Sequence, residues 1–242
     1  MLIKYVVNLK LLLVLLFLVS CSQRIKVPIN RFLSPESIGG GAQIEYRDMG
    51  FSTGIINFTG GDTDNPLTMN TIKEEEFYFG AGISEKADLF IRVPKESSSL
   101  IGIKVQLMGS SAKASAVGHN LAFTLGMGSE RDSFNEGFKI ELKSDVTDYS
   151  LIHGYRINPY VMIYDGISLS NYSFEGTVKG DNTLNSDQIS YQARNILGAH
   201  IGAVLGGSSF NLKLEWAAQK ITWTNTEEKL FQHFGATLSA GW

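Results

Sequence analysis

The sequence predicts an all-β protein, an antiparallel up-and-down transmembrane β-barrel. Apolar residues alternate with small, polar or charged residues at a period of two over most of the chain. Most of the alternating segments reach the roughly 9–11 residues that a strand needs to cross a bilayer. The composition, with 25 glycines, 5 prolines and 11% aromatic residues, is typical of many strands joined by turns.

Residues 1–20 have the pattern of a secretory signal peptide. Lys4 and Lys10 lie near the start, an unbroken apolar run covers residues 11–19, and the small residue Ser20 follows. The run is too short to span a bilayer, which needs about 20 apolar residues. We therefore expect this segment to be removed and the mature chain to begin at Cys21.

Cys21 is the only cysteine of the 242 residues. The sequence Leu18-Val19-Ser20-Cys21 resembles the lipobox of bacterial lipoproteins. The resemblance implies that Cys21 carries a covalent lipid with fatty acids such as palmitate, and that lipoprotein-export machinery handles the chain. The residue after the cysteine is Ser22 and not an Asp, and in the lipoprotein family this pattern implies export to the outer membrane. An ordinary secretory signal followed by an incidental cysteine is the alternative.

Charge and cysteine content exclude several classes of function. The formal net charge is −3, so no basic surface indicates nucleic-acid binding. Without a second cysteine, the chain has neither a disulfide framework nor a cysteine-based zinc site.

The mature chain divides into a tether and a barrel. Residues 21–38, with Pro28, Pro35 and mixed polarity, are predicted to form a lipidated tether, and residues 39–242 the barrel. The first barrel segment, residues 39–59, contains Gly50, where a bulge could sit. If this segment is a single strand, the barrel has about ten strands, and eight or twelve remain possible. The predicted strands cover residues 39–59, 75–84, 87–93, 100–108, 117–128, 137–156, 159–178, 190–205, 209–223 and 230–242.

Alternation assigns the two faces of each strand. Residues 100–108 show it most clearly, because Ile101 and Ile103 share one face and Gly102 and Lys104 the other. In residues 209–223, the opposite assignment would point Lys213 at lipid, which costs about 2–4 kcal/mol at the bilayer midplane. The apolar faces are therefore predicted to point outward. The alternation slips near residues 144–147.

Connections and the C-terminus support the same fold. Short connections, such as residues 85–86 and 206–208, alternate with longer polar ones, such as residues 60–73 and 179–188. The final Phe234, Leu238, Ala240 and Trp242 resemble the C-terminal signal of small bacterial outer-membrane β-barrel proteins, although Ala240 replaces a larger residue. This resemblance implies the bacterial outer membrane as location, with outer-membrane lipids and the barrel-assembly machinery as partners.

The inward faces collect charged and histidine residues that we expect to pair inside the lumen, because an unpaired buried charge is costly. They could form a structural plug or line a narrow, porin-like conduit. The lumen-facing candidates are Glu76, Asp88, Arg92, Lys104, Lys139, Glu141, Arg194, His200, Lys213, Glu215 and His233.

No catalytic site is predicted. His119 and His153 share the apolar parity near the predicted periplasmic ends, whereas His200 and His233 face inward, and no nucleophile motif surrounds any of them. We therefore expect neither an enzyme nor a metal or cofactor beyond the lipid on Cys21. The candidate functions are a structural or surface role, a narrow channel, or a soluble lipid-tethered periplasmic β-barrel that carries a hydrophobic ligand between apolar inner faces.

Overall fold

Eleven antiparallel strands form one sheet in the computed structural model, which describes residues 22–57, 70–95, 97–135, 139–179, 187–222 and 228–242. The predicted signal peptide and Cys21 lie outside the described residues. The strands are β1 (Ser22–Pro28), β2 (Gly41–Asn57), β3 (Asn70–Gly82), β4 (Ala87–Pro94), β5 (Leu100–Met108), β6 (Gly118–Asn135), β7 (Lys139–Asn158), β8 (Val161–Lys179), β9 (Asp187–Gly206), β10 (Phe210–Ile221) and β11 (Lys229–Gly241).

Ten of these strands close into a barrel. Each strand from β2 to β11 pairs with its neighbour in sequence, and β11 returns to pair with β2 from Ala236 opposite Asp48 to Gly241 opposite Gln43. The predicted fold class and the count of ten wall strands are therefore confirmed, with residues 41–57 forming one strand. Among the described residues, no helix is long and apolar enough to cross a membrane.

Where the wall faces the membrane, its outer face is apolar and its inner face carries charged side chains. On β4, the side chains of Leu89, Ile91 and Val93 are exposed, whereas Asp88 and Arg92 between them are buried in the lumen. This is the alternation of an outer-membrane type of barrel, with apolar side chains facing lipid. The alternative of a soluble ligand carrier is wrong, because it requires the apolar faces to point inward.

The apolar outer surface covers only part of the longest strands. β6 to β9 have 18 to 20 residues, about twice what a bilayer crossing needs. On the outer face of β7, Tyr149, Leu151 and Tyr155 give way to Lys143 and Asp145 toward the other end. We call this apolar stretch of the outer surface the apolar band. The wall continues beyond it with polar side chains on its outer face, and we call that part the polar extension.

The two ends of the barrel differ. Residues 83–86 and 159–160 connect strands at one end, which we call the turn end. Residues 58–69 and 180–186 connect strands at the opposite end, the loop end, where the polar extension lies. In outer-membrane barrels, the short turns are periplasmic and the long loops face outward.

A lysine in the apolar band should impair assembly. Ile167 of β8 is 57% exposed within the band, so Ile167→Lys should destabilise the barrel folded in the membrane by roughly 2–4 kcal/mol. The matched variant Ser173→Lys lies on the same strand and face but in the polar extension, and should assemble normally. Gel mobility of the membrane fraction with and without boiling measures the folded barrel. Equal yields for the two variants would contradict the position of the band.

The segment before β2 is not a tether, contrary to the sequence-based prediction. Ser22–Pro28 forms β1, which pairs with β2, and residues 25–33 and 35–37 are buried. Gly39, Gly40 and Gly41 then adopt φ values of 78°, 85° and 94°, and reverse the chain from the lumen into the wall. The N-terminal segment, residues 22–38, therefore runs into the barrel, with residues 25–33 and 35–37 buried, and is not an extended linker outside it.

Candidate functional site: the occupied lumen

The part of the lumen toward the loop end is filled by apolar packing. Ile25 and Val27 of β1 are 2% and 0% exposed and belong to one hydrophobic cluster with inward side chains of the wall. The wall residues of this cluster include Leu142, Val146, Tyr172, Phe174, Ile196, Ile221 and Phe231. A strand that carries alternating apolar residues thus finds an apolar environment inside the barrel, and its burial stabilises the inserted segment.

Glu215 binds the backbone of the N-terminal segment at its turn. The amide N–H groups of Arg31 and Phe32 donate to its two carboxylate oxygens, at 2.7 and 2.8 Å. The hydroxyl of Tyr164 donates to Oε2 of the same carboxylate at 3.1 Å. Phe32 has a positive φ of 50°, which is uncommon for a residue with a side chain. The carboxylate therefore satisfies buried donors where the segment bends.

Arg31 extends from the segment to the wall. Its Nη1 donates to the carbonyl oxygen of Pro28 at 2.7 Å, and its Nη2 donates to Oγ of Ser170 at 2.9 Å. Ser170 in turn donates to Asp148 at 2.6 Å, and Nε of Arg31 lies 3.3 Å from the same carboxylate. Arg31 is thus paired with a buried acid, which offsets the cost of its own burial.

Arg47 lies at the centre of the ion pairs of the wall. Its Nε donates to Glu45 at 2.7 Å, and its Nη1 donates to Glu76 at 2.8 Å and to the carbonyl oxygen of Arg31 at 3.1 Å. Arg92 donates to both oxygens of Glu76, each at 2.9 Å. Arg47 is also 4.2 Å from the ring centroid of Tyr78. The network joins three wall strands, β2, β3 and β4, to the N-terminal segment.

The segment is held again near the turn end. Nε of Arg156 donates to Glu36 at 2.5 Å. Lys104 donates to the carbonyl oxygen of Glu36 at 2.5 Å and lies 3.0 Å from Asp88. Asp88 accepts the backbone N–H of Ile38 at 2.9 Å. Side chains of the wall therefore bind both the charge and the backbone of this part of the segment.

The buried charges balance. Among the described side chains, the inner wall carries five buried acids and five buried bases: Glu45, Glu76, Asp88, Asp148 and Glu215 with Arg47, Arg92, Lys104, Arg156 and Lys213. The segment adds Lys26, Arg31 and Glu36, and Lys26 forms an ion pair with Glu74 of the wall, whose side chain is 13% exposed, so the signs still balance. Because opposite charges lie within ion-pair distance, the lumen avoids isolated buried charges. Several of these groups bind the segment directly.

Most of the predicted lumen residues are brought together here. Glu76 contacts Arg92, Asp88 contacts Lys104, and Lys213 pairs with Glu45 while donating to the carbonyl oxygen of Phe32 at 3.2 Å. These buried side chains lie on the inner faces of β3, β4, β5 and β10.

The two inward histidines occupy different environments. His200 is 4% exposed, and its ring centroid is 6.1 Å from that of Tyr164. His233 is only half-buried, and its Nδ1 lies 2.8 Å from Oδ1 of Asn30. His200 therefore belongs to the wall, whereas His233 contacts the N-terminal segment.

Three predicted residues remain, and only the side chain of Glu141 is described. Glu141 alternates with the buried Leu142 and shares the outer face of β7 with Tyr149, so its assignment to the lumen is wrong. The cause is that β7 pairs without a register shift from residue 139 to residue 156, whereas the sequence suggested a slip near residues 144–147. The side chains of Lys139 and Arg194 lie outside those that the structure describes.

Several lumen residues are not among those that the sequence predicts. Glu45 and Arg47 follow the parity of β2, and Asp148 and Arg156 follow the uninterrupted parity of β7, so strict alternation would have found all four. No comparable pattern indicated that Arg31 and Glu36 would be inside the barrel.

His119 and His153 lie on the outer wall, as their apolar parity predicts. His119 Nδ1 lies 3.1 Å from His153 Nε2, and His153 Nδ1 lies 3.0 Å from Asp165 Oδ1. This polar cluster is near the turn end of the apolar band. No group of three or more His, Cys, Asp or Glu residues that could hold a metal ion is found in the described part of the chain.

No protein-family model and no curated protein matches the chain. Two solved structures that are similar to it are both of Ail, the attachment invasion locus protein of Yersinia pestis. One, in complex with the heparin analogue sucrose octasulfate, is 10% identical with a TM-score of 0.40. The other is 13% identical with a TM-score of 0.38. In each case the alignment covers 84% of this chain and 97% of the Ail chain.

Proposed function

We propose that the protein is an outer-membrane β-barrel lipoprotein with a structural or surface role, and that its own N-terminal segment closes the barrel. The observation that carries this proposal is the occupied lumen, in which residues 25–33 are all buried. A barrel of ten strands is only slightly wider than one that its own side chains fill. An added peptide segment therefore takes the space that a solute would need.

The proposed location follows from the outer surface. Closed barrels are one of the two structures that satisfy every backbone polar group within a bilayer, and the exposed apolar band suits the hydrocarbon layer. The barrel-assembly machinery and outer-membrane lipids are the partners that this location implies. The polar extension of β6 to β9 would project from the cell surface and is the part of the wall most accessible to other molecules.

The lipid rests on the sequence alone. The lipobox Leu18-Val19-Ser20-Cys21 supports acylation of Cys21 and a need for lipoprotein-export machinery. Two or more acyl chains anchor stably, whereas one binds only marginally. The covalent lipid is the only cofactor in the proposal, and no catalytic role is included.

The narrow channel is the competing function, and conductance distinguishes it from the structural role. The full-length protein in a planar bilayer should show no steady conductance, because the ion-paired segment blocks the lumen. Heat-denatured protein at the same concentration is the control for detergent and for nonspecific leakage. Steady, ohmic steps from the folded protein would show that solutes pass the segment and would favour the channel.

A further inference from the structure

The N-terminal segment enters the barrel from the loop end. β1 is antiparallel to β2, with Ser22 opposite Asn57 and Pro28 opposite Phe51. β2 begins at the turn end and finishes at the loop end with Asn57. Ser22 therefore lies at the loop end, and the chain runs from there through the lumen to the turn end.

Contacts at different depths fix this direction. Toward the loop end, Lys26 forms an ion pair with Glu74 of β3. Toward the turn end, the backbone N–H of Ile38 donates to Asp88 of β4 at 2.9 Å. Glu215 holds the bend between these two points. A segment that entered from the turn end would lose all of these contacts, because the order of their wall partners along the barrel axis would be reversed.

We infer that the N-terminus of the mature chain is threaded through the barrel and displayed on the outer side of the membrane. The inference rests on the proposed function, which places the loop end outside the cell. An acyl group on Cys21 would then be available to the outer leaflet and not to the periplasmic leaflet, where a tether of residues 21–38 would place it.

The length of β2 supports this assignment. Asp48 and Lys73 form an exposed ion pair with a distance of 3.8 Å, which marks the polar edge above the apolar band. From Asp48 to Asn57 the strand extends about 30 Å at roughly 3.3 Å per residue. Cys21 adds one residue, at most about 3.8 Å, to the position of Ser22. The periplasmic leaflet is out of reach while β1 remains paired.

Thiol labelling of intact cells tests the threading. The variants Gln23→Cys, Ser173→Cys and Ser208→Cys place a thiol before the buried segment, in the polar extension and at the turn end. With a membrane-impermeant maleimide, the first two should react in intact cells, and Ser208→Cys only after the outer membrane is permeabilised. A Gln23→Cys thiol that reacts only after permeabilisation, as Ser208→Cys does, would overturn the inference. If Ser173→Cys also fails in intact cells, the proposed orientation of the barrel is wrong.

If the Gln23→Cys thiol reacts neither in intact nor in permeabilised cells, a cross-link tests the threading instead. Val27 and Ser52 are direct partners across β1 and β2, and the β-carbons of such partners lie about 4.5–5.5 Å apart. The double variant Val27→Cys/Ser52→Cys should form a disulfide on oxidation in outer membranes, and Val27→Cys/Ser208→Cys should not. Absence of the first link would overturn the threading.

Mass spectrometry of the N-terminal peptide completes the test. An acylated peptide from surface-labelled protein would place the lipid on the outer side. An unmodified Cys21 would contradict the lipoprotein part of the proposed function and the outer position of its lipid. Its own thiol would then react with the maleimide in every variant, so the threading would stand or fall with the cross-link.

Discussion

Replacing Glu215 with alanine is expected to loosen the N-terminal segment and to open the barrel to ions. The carboxylate is 0% exposed and accepts hydrogen bonds from two backbone N–H groups and from Tyr164. Each buried donor left without an acceptor costs about 1–3 kcal/mol. We expect Glu215→Ala to lower the free energy of unfolding by about 3–5 kcal/mol, as for other broken buried charge contacts.

Two measurements check this result. Urea unfolding in detergent gives the loss of stability, and planar-bilayer recording should show openings that the natural protein lacks. Glu215→Gln keeps one acceptor oxygen, so its stability and its conductance should lie between those of the natural protein and those of Glu215→Ala. Glu175→Ala removes an exposed acid of β8 outside the lumen and should change neither quantity. A stable, silent Glu215→Ala barrel would show that this carboxylate does not hold the segment.

Replacing Arg47 with leucine is expected to prevent stable assembly of the barrel. The guanidinium bridges Glu45 and Glu76 and donates to the backbone of Arg31, and its side chain is 0% exposed. Its loss leaves the lumen with one more acid than bases and breaks a buried network, a change that costs about 3–5 kcal/mol. The fraction that stays folded in cold SDS should fall sharply in the membrane fraction.

Matched substitutions distinguish the effect of breaking the ion-pair network from the effect of losing one positive charge. Arg131→Leu removes an exposed arginine from the polar extension of β6 and should keep the folded fraction unchanged. Arg47→Lys keeps the charge but not the planar group that binds two partners at once, so it should assemble with an intermediate yield. Equal yields for Arg47→Leu and Arg131→Leu would contradict a central role for the network.

Where one face of a strand meets lipid, the alternation of apolar and polar residues is sufficient to predict which face points outward. A shift by one residue moves every side chain of a strand to the other face, so Lys213 and Leu214 could not exchange places. Alternation gives the wrong face at Glu141, because β7 there lies beyond the apolar band. In that part of the wall the buried Leu142 and Val146 face the apolar packing of the lumen, whereas Lys143 and Asp145 lie on the outer face, so the rule that apolar residues point outward is reversed.

The sequence alone predicts a closed barrel with charged inner faces and favours ten wall strands over eight or twelve, because these features follow from contacts between neighbouring strands and from the cost of exposing charge to lipid. The position of the N-terminal segment inside the barrel emerges only from the folded structure. The partners of its residues are remote in sequence, such as Glu215 for Arg31, and the segment itself mixes apolar and charged residues without a sustained period. The wall creates the environment in which both kinds of residue are satisfied, and that environment exists only after the barrel closes.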